Sequence, residues 1–201
     1  EICACLVGSE MCIRDSDLMM QEAKIDTFGV GERLITAKSA PVFGGVYKLA
    51  AVEDEQGNII PKIKISENTT KITNPHYKKL YRFYDNESGK ALADELCVYD
   101  ETIDGTKPHT IFDPDAIWKT KTLTDYSVKE LHVTVFKNGE LVYKQPSLFE
   151  IKRYCAEQTE TLWDEVKRFE NPHTYYVDLS KKLWDIKNEL LEKSKDGKGL
   201  K

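Results

Sequence analysis

The sequence predicts an α/β fold on three observations: a glycine turn near the start, three pairs of β-rich segments, and two amphipathic helices at the end. The chain has 201 residues, of which 40% are hydrophobic, so it can bury a core in one or two domains. Its formal net charge of -5 lacks the basic field that nucleic-acid binding needs, so no nucleic-acid partner is expected. No run approaches the roughly 20 apolar residues of a membrane-spanning helix, so we expect a cytoplasmic protein without a membrane partner.

The first 16 residues, EICACLVGSEMCIRDS, resemble a translated adaptor sequence rather than a native segment. They carry Cys3, Cys5 and Cys12 without the spacing of a disulfide framework or a metal site. We therefore interpret residues 1–16 as non-native and predict no metal site. Cys97 and Cys155 stand alone in apolar surroundings and are predicted to be buried free thiols.

A helix end at residues 17–23 and a strand at residues 25–28 are predicted to lead into the turn Gly29-Val30-Gly31. A strand that passes through Gly-x-Gly into a short helix leaves several backbone N–H groups unpaired, with the positive end of the helix dipole behind them. This arrangement is typical of a phosphate site. The alternative, a plain strand-to-helix turn, stays open because the motif is short.

Three hairpins are predicted in the middle of the chain. Residues 46–52 and 59–65 flank the turn Gln56-Gly57-Asn58, and residues 79–84 and 91–99 flank the run DNESG. The third lies within residues 129–144 around Asn138-Gly139, a dipeptide that favours the positive φ angles of a tight turn. The loop-rich residues 100–114 are predicted to separate hairpins from the last unit.

Two helices are predicted at the C-terminal end, and both apolar stripes are assigned to the core. Ser147 is placed to cap the first helix, with Glu150 as its capping-box partner. The first stripe is Leu148, Ile151, Tyr154, Cys155, Leu162, Val166 and Phe169, and the second is Leu179, Leu183, Ile186 and Leu190.

The histidines His76, His109, His132 and His173 are scattered along the chain and are expected to be loop or surface residues. No catalytic triad, zinc motif or Walker loop can be assembled. The pattern therefore predicts no catalytic residue.

Several stretches in register resemble one known family. IDTFGVGERLIT, GGVYKLAAVE and KISENTTKITNPHYKKLYRFYD resemble the C-terminal half of nicotinate phosphoribosyltransferases. NPHTYYVDLSKKLWDIKNELL resembles the end of the bacterial members. The likeness covers nearly everything after residue 17.

The resemblance implies a fold and an activity. The family forms nicotinate mononucleotide from nicotinate and phosphoribosyl pyrophosphate, coupled to hydrolysis of ATP with Mg, in NAD salvage, and it usually acts as a homodimer. The implied fold is the C-terminal part of a type II phosphoribosyltransferase α/β barrel, followed by β-hairpins and two C-terminal helices. The implied boundaries are 17–66 for the end of the barrel, 67–192 for the C-terminal domain and 193–201 for a disordered tail.

The resemblance also implies that Gly29, Val30 and Gly31 hold the 5'-phosphate of the ribose with their backbone amides. Glu32 stands where the family has Thr, so its carboxylate is expected to face solvent or to pair with Arg33 or Lys48. His76 stands where the family favours Gly in NPGxKxxxR, so a special φ there would be strained.

No segment matches the family's nicotinate-binding residues or its phosphate-accepting histidine, and none of the four histidines is assigned that role. The chain alone is therefore expected to be inactive. One alternative is a non-catalytic β-hairpin module for assembly or dimerisation, with purely structural glycines. Another is a phosphoribosyltransferase that acts on nicotinamide or quinolinate.

Overall fold

The computed structural model of the chain describes residues 21–22, 24, 35–38, 40–42, 44–168 and 170–195. The chain divides into two compact units, Lys48–Trp163 with Thr174–Lys201 and Glu1–Tyr47 with Asp164–His173. The described residues form a mixed α/β fold with several sheets and few helices. Among them no helix is long and apolar enough to cross a membrane. The predicted strand and glycine turn at 25–31 lie outside the described residues, as does most of the predicted helix end at 17–23.

A four-stranded sheet organises the larger unit, in the strand order β10-β4-β3-β7. Its strands are β3 Lys78–Asp85, β4 Ala91–Val98, β7 Tyr126–Glu130 and β10 Val177–Leu179. β3 pairs antiparallel with β4, which confirms the second predicted pair, and with β7 on its other edge. β10 runs parallel to β4, with Asp178 opposite Glu95.

Three two-stranded sheets accompany it. They are β1 Ala51–Glu53 with β2 Ile59–Pro61, β5 His109–Asp113 with β6 Ala116–Leu123, and β8 Phe136–Lys137 with β9 Glu140–Leu141. The first and third pairs form where they were predicted, although their strands are shorter. Asn138 and Gly139 have φ angles of 52° and 82°, as a tight turn of this kind requires.

The β5–β6 hairpin corrects the prediction of a separating loop at residues 100–114. Asp113 makes its turn possible, because the Oδ1 atom accepts hydrogen bonds from the N–H groups of Asp115 and Ala116 at 2.9 and 3.2 Å. Ile111 and Leu123 then enter the core. The segment is therefore part of the folded unit rather than a spacer.

The described part of the larger unit contains two clusters of buried apolar residues. Phe83, Ala93, Ile111, Leu123 and Tyr126 form one, and Val98, Leu179 and Leu183 form the other. Phe83 has no exposed surface, and burial of such a side chain contributes about 1.5–3 kcal/mol. Cys97 is buried, as predicted.

The first described helix, α1, spans Leu148–Glu160 and begins with the predicted capping box of Ser147 and Glu150. The assignment of its stripe to the core is wrong, because no α1 residue is buried and Leu148 is 76% exposed. Cys155 is likewise exposed, not buried. An amphipathic stripe shows that a helix has an apolar face, but not that the same chain covers it.

The helix α1 also ends earlier than predicted, and a four-residue helix, α2 Asp164–Lys167, follows in the smaller unit. There the N–H of His173 donates to the carbonyl of Glu165 at 2.9 Å. The predicted single helix across residues 148–169 is therefore interrupted.

The last helix, α3, spans Lys181–Lys195 and buries Leu183 and Leu190, which confirms its predicted role in the core. Leu179 precedes the helix and belongs to β10, which corrects its assignment to the helical stripe. The Ser180 hydroxyl oxygen accepts a hydrogen bond from the Leu183 N–H at 3.2 Å, so it satisfies a donor of the first turn.

Candidate functional site

The predicted phosphate site cannot be placed on the structure. Gly29, Val30, Gly31 and Arg33 lie outside the described residues, as does Glu32. Lys48 is described, and its side chain is exposed. The phosphate assignment therefore stays a prediction, and the described chemistry lies on the central sheet.

Lys78 closes the turn of residues 74–78, which leads into β3. Its ammonium group donates to three backbone carbonyls, those of Asn74 at 2.9 Å, Pro75 at 3.2 Å and His76 at 2.5 Å. Burial lowers the pKa of Lys78. A helix residue adds a further contact, since Lys187 Nζ donates to Asn74 Oδ1 at 2.8 Å. This turn is tied to both the sheet and α3.

His76 occupies the position of this turn where the resemblance implies glycine. Its φ angle is 76°, so the position does require the left-handed region that favours glycine. Its N–H donates to the Ala50 carbonyl at 2.7 Å, and its ring stacks on Tyr99 with centroids 5.9 Å apart. Nδ1 also accepts from the Tyr77 N–H at 2.9 Å.

Arg82 and Asp94 form a two-pronged ion pair across β3 and β4. Arg82 Nε lies 2.7 Å from Asp94 Oδ1, and a terminal guanidinium nitrogen lies 2.8 Å from Oδ2. The Tyr175 hydroxyl donates to the same Oδ1 at 2.9 Å. The hydrogen bond to Asp94 raises the pKa of Arg82, and burial, then the Asp94 charge, raises the pKa of Tyr175.

A second acidic residue of β4, Glu95, pairs with His109 beside a cavity of about 420 Å³. His109 Nε2 lies 2.7 Å from Glu95 Oε2, and the His109 ring stacks on Phe83 with centroids 5.1 Å apart. Glu95 is 2% exposed, so this contact supplies a hydrogen-bond partner for its buried carboxylate. The expectation that His109 is a loop or surface residue is wrong. The polar pair Asp94-Glu95 inside the apolar run ALADELCV was the signal of buried partners.

The side-chain pairs of Arg82 with Asp94 and of Glu95 with His109 connect neighbouring strands. Among the described residues no group of three or more His, Cys, Asp and Glu residues could hold a metal ion. Cys97 also lines the cavity, but burial and then the Glu95 charge raise the pKa of its thiol, so the nucleophilic thiolate is disfavoured. The charged groups of Arg82 and Asp94 form hydrogen bonds to each other. These contacts hold the sheet together.

Comparison with known proteins gives the wider context. Residues 77–187 match the model of the nicotinate phosphoribosyltransferase C-terminal domain. The nicotinate phosphoribosyltransferase of Bacillus subtilis (strain 168) is 37% identical over 179 residues, which are 89% of this chain and 36% of the relative. That of Dictyostelium discoideum is 33% identical over 181 residues, which are 86% of this chain and 30% of the relative.

A solved structure agrees with these relatives. The crystal structure of human nicotinic acid phosphoribosyltransferase superposes with a TM-score of 0.55 at 25% identity, and the match covers 59% of this chain and 24% of that one. The α/β fold and these matches define a chain of the phosphoribosyltransferase class. It spans about a third of the length of its curated relatives. The chain belongs to the nicotinate phosphoribosyltransferase family, through that family's C-terminal domain.

Proposed function

We propose that the chain is the C-terminal part of an enzyme that forms nicotinate mononucleotide from nicotinate and phosphoribosyl pyrophosphate. The observation that carries this proposal is the match of residues 77–187 to the family's C-terminal domain. The relatives from Bacillus subtilis and Dictyostelium discoideum both bear the name nicotinate phosphoribosyltransferase, which favours nicotinate over nicotinamide or quinolinate. Coupling to hydrolysis of ATP with Mg, and a place in NAD salvage, belong to the same proposal.

The described part supports the site rather than performing the reaction. The paired groups of β3 and β4, together with the turn closed by Lys78, fix the start of the C-terminal domain. The phosphate of the ribose is held, in this proposal, by the backbone amides of Gly29, Val30 and Gly31. The Glu32 carboxylate is expected to face solvent or to pair with Arg33 or Lys48.

The test uses a longer chain in which the missing N-terminal part of the enzyme is restored. Gly31→Val is expected to raise the KM for phosphoribosyl pyrophosphate at least about tenfold, because a branched side chain fills the space of the phosphate. Glu32→Thr is expected to lower the same KM by up to about tenfold, since it removes a like charge. Thermal unfolding of both variants controls for stability. An unchanged KM in a folded Gly31→Val enzyme would refute the phosphate assignment.

A second function, assembly into a homodimer, is favoured by the surface of α1. Leu148, Phe149, Ile151 and Tyr154 are exposed on this helix by 76%, 81%, 44% and 55%. Large exposed apolar patches mark interaction sites, and their burial contributes about 25 cal/mol per Å². We propose that α1 packs against a second copy of the chain.

Light scattering after gel filtration tests the dimer. Leu148→Glu with Tyr154→Glu is expected to convert a dimer into a monomer, because both substitutions place charge in the apolar patch. Lys152→Glu, an exposed residue of the same helix, changes the charge without removing apolar surface and is expected to leave the dimer intact. A monomeric parent chain would refute the dimer and leave the enzyme proposal standing.

A further inference from the structure

A second cavity in the larger unit, of about 310 Å³, lies among β5, β6 and β10. Ile111 and Phe112 of β5 and Leu92 of β4 supply apolar walls, and the exposed Tyr176 lies at the rim. Its volume is at the lower end of the range for small-molecule sites, roughly 300–1,000 Å³. Asp178, the middle residue of β10, also lines it.

Asp178 is a buried carboxylate without a side-chain partner among the described residues. Its exposed fraction is 4%, and none of the hydrogen bonds or ion pairs found in the described part of the chain involves its carboxylate oxygens. The other buried acidic residues differ, because Asp94 accepts from Arg82 and Glu95 lies against His109. Buried polar groups almost always have a partner, since burial without one costs free energy.

The surroundings of Asp178 add negative charge. The parallel register places it opposite Glu95, and side chains opposite each other on adjacent strands project to the same face of a sheet. Asp113 lines the same cavity. Burial, followed by the negative charges of Asp113 and Glu95, raises the pKa of Asp178 to about 6. At pH 8 its carboxylate is therefore charged, and burial of that charge costs free energy of folding.

The protein's own cations near the cavity do not neutralise this charge. Lys119 and Lys121 of β6 line the cavity, but both side chains are exposed. Lys119 Nζ lies 3.6 Å from Asp113 Oδ2, and no described lysine or arginine lies within 4.0 Å of the Asp178 carboxylate. The Asp178 carboxylate therefore has no cationic partner among the described residues, although two exposed lysines line the cavity.

We propose that this cavity binds a small organic cation, an amidinium or a primary ammonium on an apolar body. The N–H groups pair with the Asp178 carboxylate, and the apolar body lies against Ile111 and Phe112. Nicotinate, phosphoribosyl pyrophosphate and ATP are all anions, so they cannot pair with the Asp178 carboxylate. The proposed ligand therefore differs in charge from the substrates of the proposed reaction.

The test is a calorimetric titration of the 201-residue chain with benzamidine at pH 8, since this probe joins an amidinium to a flat apolar ring. Saturable binding with one site per chain is expected. Benzamide, a neutral molecule of the same shape, and benzoate, an anion, are expected to bind at least about tenfold more weakly, because neither offers a cation to Asp178.

Two variants assign the binding to the cavity. Asp178→Asn is expected to weaken benzamidine at least about tenfold and to abolish its effect on the Tm. Asp115→Asn removes the same charge from an exposed position outside the cavity and is expected to change nothing. Equal binding by the parent chain and Asp178→Asn would overturn the proposal. So would the absence of saturation up to 10 mM benzamidine, because a Kd of about 10 mM corresponds to a binding free energy of only about −2.7 kcal/mol. Neither result bears on formation of nicotinate mononucleotide, so the two proposals fail separately.

Discussion

His76 keeps a left-handed backbone conformation at a cost that its surroundings offset. A residue with a side chain pays about 1–2 kcal/mol in this region. The hydrogen bond from its N–H to Ala50 and the stacking of its ring on Tyr99 hold it there. The sequence pattern located this position, because the family has glycine where this chain has histidine, but the angle itself is a structural finding.

Substitutions at His76 separate the backbone cost from the contacts of the ring. His76→Gly is expected to unfold with a free energy about 1 kcal/mol higher than His76→Ala, because both lose the ring but only alanine keeps the strain. The controls are Glu55→Gly and Glu55→Ala, at an exposed turn residue whose φ is not positive. There the alanine variant is expected to be more stable than the glycine variant. Urea unfolding measures all four variants. If alanine is the more stable at both positions, the strain at His76 is refuted.

Loss of one partner of the Arg82–Asp94 ion pair is expected to lower the free energy of unfolding more than loss of a single hydrogen bond to it. Asp94→Ala is expected to lower the free energy of unfolding by about 3–5 kcal/mol, because it leaves a half-buried guanidinium without a partner. Tyr175→Phe is expected to cost only about 1 kcal/mol, since Asp94 keeps both contacts from Arg82. Chemical denaturation gives both values. Similar losses in the two variants would contradict this ranking.

Asp178 makes stability depend on pH in an unusual direction. Its pKa rises on folding from 3.8 to about 6, so the folded chain binds the proton more tightly than the unfolded one. The free energy of unfolding therefore falls as the pH rises from about 4 to 6 and stays lower above that range, by about 3 kcal/mol.

Asp178→Asn isolates this effect. The variant is expected to match the parent chain near pH 4, where both side chains are neutral, and to exceed its stability above pH 6. The variant leaves the other charged groups near this position unchanged, namely Glu95, Asp113, Lys119 and Lys121. Thermal unfolding between pH 4 and pH 8 provides the comparison. A parent chain that is the more stable at pH 8 would show that Asp178 has a stabilising partner.

At the scale of elements, α1 combines a well-formed start with an exposed body. The capping box satisfies its first N–H groups. At the other end, Lys90 Nζ donates to the carbonyls of Glu160, the last helical residue, and of Leu162, which follows it. Because no α1 residue is buried, little tertiary packing resists its local opening. Its two ends, rather than its face, hold it in the described chain.

Ser147→Ala is therefore expected to act locally. Loss of the cap costs about 1 kcal/mol, so amide exchange within α1 should speed up about fivefold while the Tm of the chain stays nearly unchanged. Ser194→Ala removes a hydroxyl from the last turn of α3 and is expected to leave exchange in α1 as it was. Hydrogen exchange followed by mass spectrometry distinguishes local from global effects. A large fall in Tm for Ser147→Ala would mean that α1 unfolds only with the core.

The elements also show where sequence reasoning succeeds and where it stops. Local signals placed the turns at Gly57 and Gly139 and the cap at Ser147, because these depend on residues close in the chain. Burial of the α1 stripe depends on what covers it, which periodicity does not contain. The sequence does not predict β10, because Leu179 continues the apolar spacing of the helix that follows it. Only the pairing of these three residues with β4 makes them a strand.

At the scale of the whole molecule, the sequence predicts the family of the chain but not the partners of its buried polar residues. The family resemblance was confirmed, since it rests on several motifs in register. The partnership of Glu95 with His109 joins residues 14 positions apart on strands of different sheets, so no local pattern reveals it. In the sequence, Asp178 is one residue of a family motif, and its isolation follows from the packing of β5 and β6 around it.

The last prediction concerns the activity of the chain by itself. It matches 36% of the length of the Bacillus subtilis relative. We therefore expect the purified 201-residue chain to form no nicotinate mononucleotide from nicotinate, phosphoribosyl pyrophosphate and ATP with Mg. Mass spectrometry of the product, against a reaction without protein, measures this. Circular dichroism with a cooperative unfolding transition establishes that the chain is folded, so that a negative result reflects missing residues. Turnover above the blank by the folded chain would mean that it contains a complete site, and the search for it would begin at Glu95 and His109.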